Sequence, residues 1–73
     1  MRIDKICAMV QVAAGMRARH PGFNADEGLC AKLSEVINVH VWEVRWGGDA
    51  AYLHLGNRVF IQVPFNPVEA RSG

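Results

Sequence analysis

The first third of the chain has its apolar residues three and four positions apart, which is the spacing of an α-helix. The helix predicted from this spacing covers residues 3–19. One face of it collects the apolar side chains of Ile3, Ile6, Cys7, Val10, Ala13 and Ala14, widened by Met9, Val12 and Met16. The opposite stripe carries few charges and consists of Asp4, Ala8, Gln11 and Gly15. Because so much of its surface is apolar, we expect this helix to be covered on more than one side.

A second helical pattern follows a break at Pro21 and Gly22. Asn24 and Glu27 have the spacing of a capping box, in which the two side chains satisfy backbone amides at the start of a helix. Asn38 is expected to end this helix. Its predicted buried stripe consists of Leu29, Cys30, Leu33, Val36 and Ile37, and its solvent-exposed residues are Asp26, Lys32 and Glu35.

Beyond residue 39 the pattern changes to the alternation typical of strands. Strands are predicted over residues 40–46, 51–55 and 59–65, and Gly47-Gly48-Asp49-Ala50 forms the first turn. Antiparallel pairing across this turn sets Val44 against Leu53. Pro64 lacks a backbone N–H, so the third strand is an edge strand or ends there.

The second turn decides which side chains share a face of the sheet. A two-residue Gly56-Asn57 loop would pair Leu53 with Phe60 and split the apolar set between the two faces. A three-residue loop, with Gly56 or Asn57 at positive φ, aligns Leu53 with Ile61 instead, and we adopt it. The face then predicted to meet the helices consists of Trp42, Val44, Trp46, Leu53, Leu55, Val59, Ile61 and Val63.

These elements predict an α+β domain in the order α-α-β-β-β, with two helices packed on one face of a three-stranded antiparallel β-meander. The 73 residues form a single domain, of which residues 66–73 are expected to fray. A chain of this length is near the lower limit for a stable hydrophobic core. Loss of either Trp42 or Trp46 is therefore expected to be severe.

Composition and charge narrow the classes of function. Hydrophobic residues make up 51% of the chain and charged residues 21%, which favours a folded domain over a disordered one. Eight basic and seven acidic residues give a formal net charge of +1 and are interspersed. The chain therefore lacks the basic stripe typical of proteins that follow a nucleic-acid backbone.

The cysteines and the apolar start of the chain bear on location. Cys7 and Cys30 have no CxxC spacing and fit a reducing, cytoplasmic compartment, and the sequence leaves open whether they form a disulfide. Asp4 and Gln11 interrupt the apolar start, so we expect no cleaved signal peptide. No stretch is long and apolar enough to predict a transmembrane span, and we expect no membrane partner.

The sequence contains few residues in patterns typical of a metal site or a catalytic site. His20, His40 and His54 have no spacing typical of a metal site, and the glycines of the first turn are explained by the hairpin. Cys7 and Cys30 lie on apolar helical stripes without an evident base beside them. We therefore expect no catalytic residues, no metal and no cofactor.

The candidate functional surface is the sheet face turned away from the helices. It consists of Glu43, Arg45, Tyr52, His54, Phe60 and Gln62. The predicted register puts Glu43 opposite His54 and Arg45 opposite Tyr52. Tyr, Phe and Arg are frequent anchors of protein interfaces. The alternative is a purely structural role, in which the same residues form cross-strand pairs that stabilise an exposed sheet.

We expect a non-enzymatic binding protein that contacts another protein through this face or through the edge strand near residues 63–65. In format the chain is small, single-domain and nearly neutral, and it resembles the proteins with which phages and mobile elements block host machinery, including anti-CRISPR inhibitors. This resemblance involves no particular residues. Two alternatives are a small nucleic-acid-binding module that uses the sheet aromatics and a structural subunit that homodimerises through its sheet.

Overall fold

A computed structural model describes residues 2–20, 22 and 26–72 of the chain, with Glu27 described by its backbone alone. The three strands form one antiparallel sheet in the order β1-β2-β3. The predicted α+β class is confirmed, and so is the order of two helices followed by a three-stranded meander. The elements are α1 (Ile3–Arg19), α2 (Asp26–Ile37), β1 (Glu43–Trp46), β2 (Ala50–Gly56), β3 (Val59–Pro64) and α3 (Pro67–Ser72).

Helix α1 packs on both of the other helices and on β3. Ile6, Val10 and Ala14 are buried, as the spacing predicts. Ile3 is an exception, because it is the first residue of the helix and lies exposed beyond the core. Gly15, predicted on the solvent-facing stripe, is also an exception, since it is buried next to α3. The expectation that α1 is covered on more than one side is confirmed.

Helix α3 replaces part of the frayed tail predicted over residues 66–73. The Asn66 side chain accepts hydrogen bonds from the amides of Val68, at 3.0 Å, and Glu69, at 3.2 Å. Pro67 occupies the first helical position, where the missing N–H costs nothing. Ala70 is buried. The prediction of fraying is therefore wrong for the described part of the tail, because a capped start and a buried residue hold it in place.

Helix α2 buries Leu29, Leu33 and Ile37, as predicted. Asn38 ends the helix with a φ of 63°, and its amide donates to the Ser34 carbonyl at 2.9 Å. Asp26, predicted to lie in solvent, is half-buried.

Asp26 is half-buried because its carboxylate accepts a hydrogen bond from the Trp46 indole at 3.2 Å. The predicted capping box lies outside the described residues, since it depends on Asn24 and on the Glu27 side chain.

The hydroxyl of Ser34 ties the end of α2 to the segment that enters β1. It donates to the Cys30 carbonyl at 2.7 Å and accepts from the Val41 amide at 2.9 Å. This contact places Val41 in the core, where it is among the largest fully buried side chains together with Val10, Leu33 and Leu53. The core therefore lies between the sheet and the two long helices.

The sheet has the predicted register. Val44 pairs with Leu53 and Trp46 with Ala51 across the first turn. Leu53 in turn pairs with Ile61. Leu53 is completely buried, so the central strand β2 points its apolar side chains at the helices.

The second turn reaches this register by a different route from the predicted three-residue loop. Gly56 pairs with Val59, so the turn itself contains only Asn57 and Arg58, and the ladder is irregular between His54 and Gly56. Gly56, Asn57 and Arg58 all have positive φ, at 94°, 51° and 63°. A two-residue turn plus one extra residue in β2 therefore has the same effect on alignment as the longer loop.

Two residues predicted to be buried against the helices are exposed instead. Trp42 is 65% exposed and Val59 is 51% exposed. Trp42 precedes β1 at a point where the alternation is broken, and the neighbouring Val41 is buried in its place. Val59 begins β3 next to the turn, and in the described part of the chain β3 is an edge strand. The predicted burial of both residues is therefore wrong.

The described part of the chain includes no helix with the length and apolarity that crossing a bilayer requires.

Candidate functional site

The six residues predicted for the candidate surface come together on one side of the sheet, called here the outer face. All six are exposed or half-buried: Glu43, Arg45, Tyr52, His54, Phe60 and Gln62. Glu43 pairs with His54 and Arg45 with Tyr52 across β1 and β2, while Phe60 pairs with His54 across β2 and β3. The register thus places this set together, as predicted.

An ion pair forms the charged part of the outer face. Arg45 Nε lies 2.9 Å from Glu43 Oε1, and His54 Nδ1 lies 3.7 Å from the same oxygen. The Arg45 and Glu43 side chains are both largely exposed, so water and salt screen their attraction, which is worth at most about 1 kcal/mol. The pair therefore organises the surface more than it stabilises the fold.

Two aromatic rings form the second part of the outer face. His54 and Phe60 stack with their centroids 4.5 Å apart and their planes 14° from parallel. The guanidinium carbon of Arg45 lies 5.4 Å from the Phe60 centroid, so Arg45 reaches across β2 to Phe60. Phe60 is still 41% exposed. A cation and a half-exposed aromatic ring are thus held side by side on regular strands.

Tyr52 contributes less to this surface than the sequence suggests. Its ring lies against the first turn, where a methyl group on Gly47 would be 3.2 Å from Tyr52 Cε2. At the edge near residues 63–65, two side chains pack inward. Val63 is buried, and Phe65 packs edge-on against Trp46 with ring centroids 5.8 Å apart.

Trp42 extends the outer face, and the sequence analysis assigned it to the core. Its indole meets the His40 ring edge-on, with centroids 4.6 Å apart. It also lies over Gly56, where a methyl group would be 3.0 Å from the indole nitrogen. Trp42 borders a depression of about 470 Å³ that it shares with Glu43 and His54. It is therefore continuous with the predicted residues.

The sequence does contain a signal for the position of Trp42. Val41 and Trp42 are adjacent and both apolar, and two consecutive residues of a regular strand cannot face the same side. One of them had to turn outward. The Val41 amide is held by Ser34 Oγ, which decides the choice in favour of burying Val41.

The described cysteines are free thiols. Cys30 lies in a groove between α2 and β1. Burial raises the pKa of the Cys30 thiol, and the negative charges of Asp26 and Glu43 raise it further. The thiol is therefore held in its protonated form, which is a poor nucleophile.

Metal ligation has no obvious place in the described residues. Among them, no group of three or more His, Cys, Asp or Glu side chains is arranged to hold a metal ion. His54 is close to Glu43, but its ring is also stacked on Phe60.

Comparison with protein-family models, with curated proteins and with solved structures gives no match. Function is therefore inferred from the outer face itself.

Proposed function

We propose that this chain is a non-enzymatic protein that binds another protein through the outer face and Trp42. The observation that carries the proposal is the exposure of two aromatic residues near the Glu43–Arg45 ion pair: Trp42 borders a depression with Glu43, and Phe60 lies beside Arg45. Exposed aromatic residues beside a charged rim are typical of interface anchors, because burying them on binding releases water from a large apolar area.

The arrangement of charge favours a protein over a nucleic acid as the partner. Among the six residues that define the outer face, Arg45 is the one basic side chain besides His54, and it is paired with Glu43. A phosphate backbone would have to compete with that carboxylate. One side of the Phe60 ring is covered by His54, which leaves less of the ring free for a base to stack on. A nucleic-acid-binding module therefore explains this surface less well.

A rigid scaffold supports the same proposal. The outer face is carried by paired strands of one sheet, so little side-chain and loop ordering remains to be done on binding. The narrower form of the proposal is an inhibitor that covers a surface of host machinery, of the kind that phages and mobile elements encode, with anti-CRISPR inhibitors as one class. That form rests on the format of the chain alone. The two free thiols favour a cytoplasmic location for it.

Affinity capture with matched variants tests the proposal. The tagged chain is used as bait in an extract of its source cells, and captured proteins are purified and titrated against it. We expect the double variant Tyr52→Ala, Phe60→Ala and the single variant Trp42→Ala each to weaken binding at least about tenfold. Val68→Ala serves as the control, because Val68 is 64% exposed but lies on α3.

Circular dichroism must show that each variant is folded. Unchanged binding by the folded Tyr52→Ala, Phe60→Ala variant would refute the assignment of the outer face. A salt series separates the alternatives. Binding to a single-stranded oligonucleotide that falls steeply with rising salt would favour the nucleic-acid module, whereas binding through Phe60 and Trp42 depends weakly on salt.

A further inference from the structure

Within the described residues, strand β3 is an edge of the sheet that lacks the usual protection against pairing. The segment Val59–Pro64 contains no charged residue. Proteins normally protect an edge with charges, bulges or a covering element, because its unpaired backbone groups are a template for another strand. The opposite edge, β1, carries Glu43 and Arg45 and follows a break in the ladder at Trp42. β3 has only Pro64 at its end.

The hydrogen bonds of the ladder determine which β3 groups are free. The Phe65 amide donates to the Asp49 carbonyl at 3.0 Å. Antiparallel alternation then directs the backbone groups of Ile61 and Val63 toward β2 and those of Phe60 and Gln62 away from it. Within the described residues, no backbone hydrogen bond outside the regular ladder involves Phe60 or Gln62. Their N–H and C=O groups therefore form an unpaired row.

We propose that β3 pairs antiparallel with β3 of a second copy of this chain, about a two-fold axis at Ile61. In this register Phe60 of each copy and Gln62 of the other exchange both N–H···O bonds, so every outward group of these two residues is used. An axis at Gln62 is less favourable. It would set the Phe60 carbonyl against Pro64, which has no N–H to donate.

The side chains fit the same two-fold axis. Val59, which is 51% exposed, comes to lie opposite Val63 of the second copy, so pairing covers an apolar side chain that the single chain leaves in water. The absence of charge in β3 means that the axis brings no like charges together. Self-pairing is thus compatible with both the backbone and the side chains, which is the argument for a second copy over an unrelated strand.

The pairing would also change the outer face. Phe60 of one copy lies beside Gln62 of the other, so the second copy contributes a residue to each candidate binding surface. The two outer faces become one continuous sheet surface with two sets of anchors. Because the remaining edge, β1, is protected by charge and by the break in the ladder, the assembly closes at two copies.

Sedimentation equilibrium over a range of concentrations tests the inference. We expect the mass to rise from the 8.1 kDa of one chain to twice that value. Gln62→Pro removes an outward N–H without removing a hydrogen bond to β2, and it is expected to keep the protein monomeric. Gln62→Ala is the matched control, because it changes the same side chain but keeps the N–H. We expect it to dimerise like the wild type.

Hydrogen exchange provides a second measurement that needs no variant. The amides of Phe60 and Gln62 are expected to exchange more slowly as protein concentration rises, whereas those of α3 are expected to be unaffected. A wild-type chain that stays monomeric, with concentration-independent exchange at both amides, would overturn the inference. So would a folded Gln62→Pro variant that dimerises as tightly as Gln62→Ala, or a mass that grows beyond two chains. None of these results bears on partner binding through Trp42.

Discussion

The backbone amide of Trp42 donates a hydrogen bond to the carbonyl oxygen of His54 at 2.8 Å, although the ladder partner of His54 is Glu43. Two consecutive residues therefore oppose one residue of β2, which is the arrangement of a β-bulge. The bulge interrupts the alternation of side chains. Val41 is buried as a result, and Trp42 emerges beside the outer face.

This bulge predicts that the two tryptophans differ in their contribution to stability. Trp46 donates to Asp26, packs edge-on against Phe65 and lies 4.6 Å from the Arg17 guanidinium carbon. We expect Trp46→Ala to lower the free energy of unfolding by about 3 kcal/mol. Trp42→Ala, at an exposed position, is expected to lower it by less than about 1 kcal/mol. Urea unfolding followed by circular dichroism measures both. Equal losses would contradict the bulge as the reason for the exposure of Trp42.

The second turn predicts a stabilising substitution. Asn57 and Arg58 both have positive φ, the combination found in a type I′ turn, in which glycine is strongly preferred at the second position. A non-glycine residue in this conformation costs roughly 1 kcal/mol. We therefore expect Arg58→Gly to raise the free energy of unfolding by about 0.5 kcal/mol after the entropy of glycine is offset. Arg58→Val should lower it, because a β-branched residue adopts positive φ with greater strain. Thermal unfolding of both variants measures these changes. An Arg58→Gly variant that is no more stable than the wild type would show that Arg58 is not strained at this turn.

Much of the fold could be predicted because one constraint dominates a chain this short. The alignment of Leu53 with Ile61 lets the apolar residues share a face, and burying them outweighs the details of the turn. The turn itself was predicted with the wrong length, since a bulge and a longer loop have the same effect on alignment. Hydrophobic periodicity specifies which residues must be buried and leaves open how the backbone achieves it.

The tail and Trp42 were not predicted correctly, for a related reason. Asn66-Pro67 has the pattern of a helix start, but a six-residue helix is too short to show hydrophobic periodicity. It is held by long-range contacts instead, because Gln11 donates to the Asn66 carbonyl at 3.0 Å and accepts from the Asn66 amide at 2.8 Å. Contacts between residues this far apart in sequence follow only from the assembled fold.

The sequence predicts which residues form the outer face, but not which of their side chains contact one another. Strand alternation alone places Glu43, Arg45 and His54 on one side. It does not indicate that the long Arg45 side chain extends to Phe60. Nor does it indicate that Tyr52, the cross-strand partner of Arg45, packs against Gly47 instead. Side-chain direction depends on local packing that a period of two cannot encode.

The thiol of Cys30 predicts a loss of stability in alkaline solution. Its pKa is raised from 9.0 in the folded chain, mainly by burial. Above pH 9 the unfolded chain releases the thiol proton while the folded chain still holds it, so rising pH favours unfolding until the folded pKa is passed. Below pH 9 both states hold the proton and the effect vanishes. We expect Cys30→Ala to reduce this alkaline loss in urea titrations at several pH values. Alkylation of Cys30 at pH 9 should also be slower in the folded chain than in urea, and equal rates would count against the raised pKa.

The close approach of α1 and α3 at Gly15 predicts opposite effects for two substitutions. A methyl group on Gly15 would lie 3.1 Å from Arg19 Nη1 and 3.7 Å from the Ala70 carbonyl oxygen. The Arg19 tip is flexible and can move aside, so Gly15→Ala is expected to raise the free energy of unfolding by roughly 0.5 kcal/mol through helix propensity. Gly15→Val extends further toward the backbone of α3 and is expected to lower it by about 1–3 kcal/mol.

Gly28→Ala is the control for these two variants. Gly28 lies in α2 with no neighbouring atom within 4 Å of an added methyl group, so its substitution reports helix propensity without a contact to α3. Urea unfolding gives the free energies, and faster hydrogen exchange at the Val68 and Glu69 amides in Gly15→Val alone would show that α3 is displaced. A result in which Gly15→Ala destabilises the chain while Gly28→Ala stabilises it would contradict this prediction. It would mean that the Arg19 side chain cannot move aside and that α3 packs on α1 more tightly than the 3.7 Å separation implies.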